Sequence, residues 1–110
     1  MRIPSDATVA ETKLTDYLLV RRPWDDKSEF LHRAGFGLEN WPALREAVMR
    51  LAESVEAVED GGNEYGTFYR VEGALTGPTG TLQMVSIWMK RTIDQGFHFV
   101  TLKPSRAKER

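Results

Sequence analysis

Two strand-forming runs joined by a proline–glycine turn constrain this chain more than any other feature. Tyr65 to Leu75 mixes aromatic, β-branched and charged residues, Thr76-Gly77-Pro78-Thr79-Gly80 interrupts it, and Thr81 to Arg91 resumes the pattern. Pro78 presets φ for the first turn position, and Gly80 can take the left-handed conformation that closes a type I turn with a G1 bulge. Such a turn pairs Gly77 with Thr81 and predicts Val71 opposite Ile87, Tyr69 opposite Met89 and Arg70 opposite Trp88. One face of the hairpin is then apolar, with Tyr69, Val71, Leu75, Val85, Ile87 and Met89. The other carries Phe68, Arg70, Glu72, Met84, Ser86, Trp88 and Lys90.

Upstream the hydrophobic period is helical. Thr12 can cap a helix from Lys13 to Val20, with Leu14, Tyr17 and Leu18 on one face, and Arg21-Arg22-Pro23-Trp24 ends it. Asp26 followed by Glu29 resembles an acidic capping box for a second helix from Lys27 to Ala34, stopped by Gly35 and Gly37. Asn40 suits the N-cap of a third, in which Leu44, Val48, Leu51, Ala52 and Val55 recur at helical spacing. Residues 55–59 read as a short edge strand closed by Asp60-Gly61-Gly62-Asn63, and Phe97 to Leu102 as a last strand ended by Pro104. This order predicts one α+β domain over residues 1–104: three N-terminal helices packed on one face of a roughly four-stranded antiparallel sheet. A disordered basic tail is expected at 105–110.

A length of 110 residues with 41% hydrophobic content suits a single globular core. The chain has no cysteine, which excludes disulfide scaffolds, thiolate metal sites and cysteine nucleophiles. The first residues lack an apolar stretch of signal-peptide length, and no window approaches a membrane span, so a cytoplasmic protein without a membrane partner is expected. The net charge of −1 gives no overall field toward nucleic acid. Charge is nonetheless uneven: Glu53, Glu56, Glu59, Asp60 and Glu64 are grouped, whereas bases dominate from Lys90 onward. That distribution reads either as a solvated loop and tail or as a basic strip able to touch phosphate.

Candidate chemistry is sparse. His32 has only Glu29 at a ligand spacing, with no third ligand in view, so neither a metal site nor a cofactor is expected. His98 points away from whichever face Phe97 and Phe99 fill. It reads first as a surface residue, although its chemistry suits a general base. Arg70, Trp88 and Lys90 share one predicted face. That face is either stabilised by cross-strand pairs or covered by another subunit, or it is a platform on which a base stacks while Arg70 and Lys90 meet phosphate.

The succession of short motifs resembles a bacterial domain-of-unknown-function family. The matching segments are Ile3-Pro4, Lys13-Leu14, Asp16-Tyr17-Leu18-Leu19, Lys27 with Phe30-Leu31, and Gly35-Phe36-Gly37. Glu64-Tyr65-Gly66, Tyr69, Leu75 to Gly80, the Trp88 strand and Val100 to Pro104 extend the likeness over residues 3–104. In that family the domain occurs as small stand-alone proteins and as C-terminal modules of phage-type and polymorphic-toxin proteins. Its fold is similar to the barnase, EndoU, colicin and RelE-like ribonuclease group. The resemblance implies Lys13, Lys27 and Thr101 as catalytic residues, supported by Arg70 and Lys90 as phosphate ligands, in a metal-independent cleavage of RNA. One departure bears on activity: the loop Arg22-Pro23-Trp24-Asp25-Asp26 carries two acids and lacks the histidine that the family pattern often has. Two functions therefore stand side by side. One is a toxin- or phage-associated protein of ribonuclease-like fold with RNA as partner. The other is a non-enzymatic module that binds a protein or a second copy of itself through the Arg70/Trp88 face.

Overall fold

A four-stranded antiparallel sheet with helical segments on one side forms the protein, seen in a computed structural model that describes residues 1–20 and 27–105. The Arg21–Trp24 breaker, the Asp26 cap, the acidic loop and the tail beyond Ser105 lie outside the described residues. The strands are β1 (Val58–Asn63), β2 (Gly66–Gly77), β3 (Gly80–Arg91) and β4 (Phe97–Pro104), hydrogen-bonded in the order 1-2-3-4. Helix α1 (Glu11–Lys13) runs directly into a π-helical turn (Leu14–Leu18); α2 is Ser28–His32 and α3 is Trp41–Ser54.

The three N-terminal helices are not found as expected: among the described residues α3 is long, α1 and α2 are short, and a 3-10 turn (Leu38–Asn40) leads into α3. The first becomes a π-turn in which the Leu19 amide donates to the Leu14 carbonyl at 2.9 Å, and Leu14 and Leu18 are both buried. Helix α2 ends early because Gly35 turns left-handed, with φ at 93°. Asn40 occupies the N-cap position of α3 but does not cap it. Its side chain turns back instead, accepting from the Gly37 amide at 2.8 Å and donating to the Gly35 carbonyl at 2.9 Å. In α3 the expected face is in place: Leu44, Val48, Leu51 and Ala52 are buried, joined by Ala47. This helix lies across β2 at Gly73, where a Cβ would stand 2.9 Å from Leu51 Cδ1.

The hairpin register differs by one residue from the expectation. Gly77 pairs with Gly80, so Val71 faces Ser86, Tyr69 faces Trp88 and Arg70 faces Ile87. Neither Gly80 nor any residue of the Pro78-Thr79 turn takes a positive φ, so the bulge does not form. The tip is held from outside instead. The Thr79 amide donates to the Ala34 carbonyl at 3.0 Å, and its hydroxyl donates to the Arg33 carbonyl at 3.2 Å. Every β3 side chain consequently changes face. Met84, Ser86 and Trp88 point into the core with no exposed surface, and Ile87 and Met89 lie half-buried on the open side. Burying a tryptophan is worth roughly 4–6 kcal/mol and an isoleucine about 1.5–3 kcal/mol, which favours this arrangement.

The other edges also depart from expectation. Strand β1 starts at Val58 and runs through the Asp60-Gly61-Gly62-Asn63 segment, which instead forms a bulge between Glu59 and Gly62 with Gly61 at φ 83°. Strand β4 extends through Pro104, and Ser105 beyond it is buried, its amide donating to the Gln83 carbonyl at 2.9 Å and its hydroxyl to Glu72. A bulge in β4 pairs Thr101 with Ile87 and Phe99 with Trp88, leaving Val100 as the extra residue. Phe99 and Leu102, an odd number of positions apart, are therefore both in the core. No helix among the described residues is long and apolar enough to cross a membrane.

Candidate functional site

Strand β4 is an edge of the sheet, and its two halves are treated differently. Along the first half the N-terminal segment adds a bridge beside His98: the Thr8 amide donates to Phe97 O at 2.9 Å, and the Phe99 amide donates to Thr8 O at 2.8 Å. Beyond it the bulge turns Val100 and Thr101 toward the π-turn. There Thr12, Lys13, Tyr17, Lys27, Val100 and Thr101 line an open cleft of about 450 Å³. Lys13 is exposed at the end of α1. Lys27, half-buried just before α2, sets its ammonium 5.5 Å from the centre of the Tyr17 ring.

The structure thus brings Lys13, Lys27 and Thr101 to one place. Two ammonium groups, a phenol and two hydroxyls surround the cleft, and none of the described lining residues is acidic. Such a set offers positive charge and hydrogen-bond donors to an anion. Tyr17 and Thr12 were not singled out by the sequence for this role. Tyr17 reads there as part of an apolar helical stripe, and only the π-turn and Lys27 reveal its other side.

Arg70, Trp88 and Lys90 do not share a face. Trp88 is wholly buried against Phe99, with ring centroids 5.4 Å apart, and offers no surface for stacking. Lys90 lies on the helical side of the sheet, its ammonium 5.9 Å from the Phe97 ring centre. Arg70 stays on the open side, 3.3 Å from Glu72 and 3.9 Å from Asp60. The one-residue register change separates them.

Arg70, Ile87 and Thr101 form one row across β2, β3 and β4, so Arg70 lies two strand spacings, about 10 Å, from Thr101 on the same face. Phe68, Met89 and His98 form the adjacent row. Strict alternation would put Thr101 with Phe97 and Phe99; the bulge moves it to the face of His98. His32 lies elsewhere, in a cavity of about 360 Å³ with Glu29, Glu39 and Phe36. No group of three His, Cys, Asp or Glu among the described residues could hold a metal ion.

No curated protein and no solved structure matches the chain. A family does: residues 4–106 match DUF6883, a domain of unknown function. Since the match spans nearly the whole sequence, the chain belongs to the DUF6883 family.

Proposed function

We propose that this protein binds RNA, holding a phosphodiester in the cleft between Lys13, Lys27 and Thr101. The observation that carries the reading is the convergence of two lysines, Tyr17 and two threonine hydroxyls on one open cleft with no described carboxylate in its lining. Lysine ammonium groups meet the non-bridging oxygens as point charges, and a hydroxyl donates to one of them. The overall charge of −1 does not oppose this, because attraction at short range follows the local field rather than the sum. From the cleft a single strand can continue over the open sheet face past His98 toward Arg70.

The ribonuclease-like activity and the toxin- or phage-associated setting implied by the resemblance are consistent with such a site. In a cleavage by the neighbouring 2′-hydroxyl, Lys13 and Lys27 would stabilise the charge growing on the phosphoryl oxygens, without a metal ion. The described lining of the cleft holds no histidine or carboxylate to take the hydroxyl proton, so phosphate binding is the better supported part of the reading. Titration of single-stranded RNA into wild-type protein and the Lys13→Ala/Lys27→Ala double variant tests it. Wild-type binding with a large loss in the variant is expected; equal affinity would remove the cleft from consideration.

A second reading draws on the open side of the sheet. Tyr65 and Ile93, 68% and 86% exposed, flank a cavity of about 600 Å³ with Met89, Glu64, Arg91 and Thr92. An apolar surface of this kind suits a protein partner or a second copy of the chain. The self-association form of this reading predicts a concentration-dependent dimer in sedimentation that Ile93→Ser abolishes; a monomer at all concentrations would count against that form.

A further inference from the structure

We propose that the polar cavity at His98 is a nucleobase subsite selecting guanine, with Asp6 as the specificity-determining residue. This deepens the RNA-binding reading above and rests on it. The cavity, of about 490 Å³, is lined by Asp6, Thr8, Asp94, Gln95 and His98, with Pro4, Gly96 and Phe97 completing its wall. It adjoins the phosphate cleft along β4. His98 and Thr101 stand on one face because of the bulge, three residues apart, which is roughly 7–10 Å of strand. That separation is on the order of one nucleotide, so a phosphate at Thr101 leaves its neighbouring base within reach of His98.

Hydrogen bonds hold the β4 edge and the turn after β3 in place around the cavity. Thr8 is bonded to the backbone on both sides of His98, which fixes the strand that carries the imidazole. Gln95 takes a left-handed φ of 62°, uncommon outside glycine, and closes the turn that carries Asp94. Asp94 is already committed, accepting from the Gly96 amide at 2.9 Å and from Arg91 at 2.9 Å. A Cβ on Gly96 would stand 3.2 Å from Asp94 Oδ1 and 3.4 Å from His98 Nε2, so glycine keeps the cavity open between them.

Asp6 gives the cavity its selectivity. A carboxylate only accepts hydrogen bonds, so it is best met by two donors side by side. Guanine alone among the common bases presents adjacent N1–H and N2–H donors on its pairing edge. Its O6 acceptor can then meet an N–H of His98 or the second N–H of the Gln95 amide, the first being donated to the Thr92 carbonyl at 3.1 Å. Uracil would place a carbonyl against the carboxylate, whereas adenine and cytosine offer only one exocyclic amine.

Affinities for short oligoribonucleotides carrying a single G, A, C or U in a common abasic context decide the matter. Wild-type protein should prefer the G-containing oligonucleotide by about tenfold or more, in line with a bidentate base contact. Asp6→Asn should erase that preference while binding to the other three changes little, and His98→Ala should weaken the G-containing ligand most. The Lys13→Ala/Lys27→Ala variant should lower all four alike. Lysine-dependent binding with no base preference, or a preference that survives Asp6→Asn, overturns the subsite and leaves the cleft standing. Absence of RNA binding by the wild-type protein overturns both.

Discussion

The indole N–H of Trp88 donates to the hydroxyl of Ser86 at 2.9 Å, two residues back along β3 and on the same face. The same hydroxyl donates to the Val71 carbonyl at 3.3 Å. Both side chains are wholly buried, so the largest residue in the core has its one polar atom satisfied by a hydroxyl that itself donates to the neighbouring strand. Ser86→Ala should therefore cost about 1–3 kcal/mol, the penalty for leaving a buried donor unpaired. Urea denaturation measures it; a loss near zero would mean that the indole finds another acceptor.

The register also ranks two truncations on adjacent residues. Trp88→Ala should cost about 3–5 kcal/mol, whereas Ile87→Ala, on the half-buried open side, should cost clearly less than a core truncation such as Leu51→Ala at about 2–5 kcal/mol. The hairpin with Arg70 opposite Trp88 predicts Ile87 as the core residue, so the order of these values discriminates the two registers directly.

Gly73 and Thr79 report on the contacts that set the hairpin against the helical layer. Gly73→Ala puts a methyl 2.9 Å from Leu51 Cδ1 and 3.2 Å from Val55 Cγ2, and should destabilise by about 1–3 kcal/mol through overpacking. Thr79→Ala removes the bond to the Arg33 carbonyl and should cost about 0.5–1.5 kcal/mol. A stabilising Gly73→Ala would show that α3 can lift away from β2 without loss.

The Asp94 carboxyl is held below its ordinary range, first by the Gly96 amide, then by the Arg91 guanidinium, with His98 adding to the field. A depressed carboxyl stabilises the folded state fully above its unfolded pKa, about pH 4, and loses that contribution as pH falls through the lower folded value. Asp94→Asn should therefore reduce stability near neutrality and flatten its decline below about pH 4. Parallel pH profiles of the two proteins would contradict the assignment.

Salt provides an independent measure of the cleft. Each ammonium that neutralises a phosphate of single-stranded RNA contributes about 0.7 to the slope of log K against log salt. Removing Lys13 and Lys27 together should lower that slope by about 1.4. An unchanged slope, even with weaker binding, would place the phosphate contacts elsewhere.

The antiparallel hairpin, the four-stranded sheet and the buried face of α3 were legible because each is written locally, in the turn at Pro78 or in the spacing of Leu44, Val48 and Leu51. The register was not, because it depends on carbonyls of Arg33 and Ala34, far from the turn they hold. The β4 bulge was equally hidden. Phe97-His98-Phe99-Val100-Thr101-Leu102 gives no sign of where alternation fails, and the pairing of Phe99 with Trp88 decides it. Lys13, Lys27 and Thr101 were nominated by resemblance alone; their meeting is a property of the edge strand and the π-turn, which no spacing along the chain expresses.

The anchored tip between Gly77 and Gly80 also governs which changes of length relatives of this chain can carry. Two residues added there preserve the orientation of everything in β3, although the grip on Arg33 and Ala34 is lost. One residue added must be taken up in the turn, as in a three-residue loop, or as an extra residue in a strand, as β4 does with Val100, because a slip of the pairing would turn Trp88 and Ser86 to the solvent. Homologues that lengthen this hairpin should therefore carry the added residues in the turn or in a new bulge, with the pairing of Tyr69 and Trp88 kept.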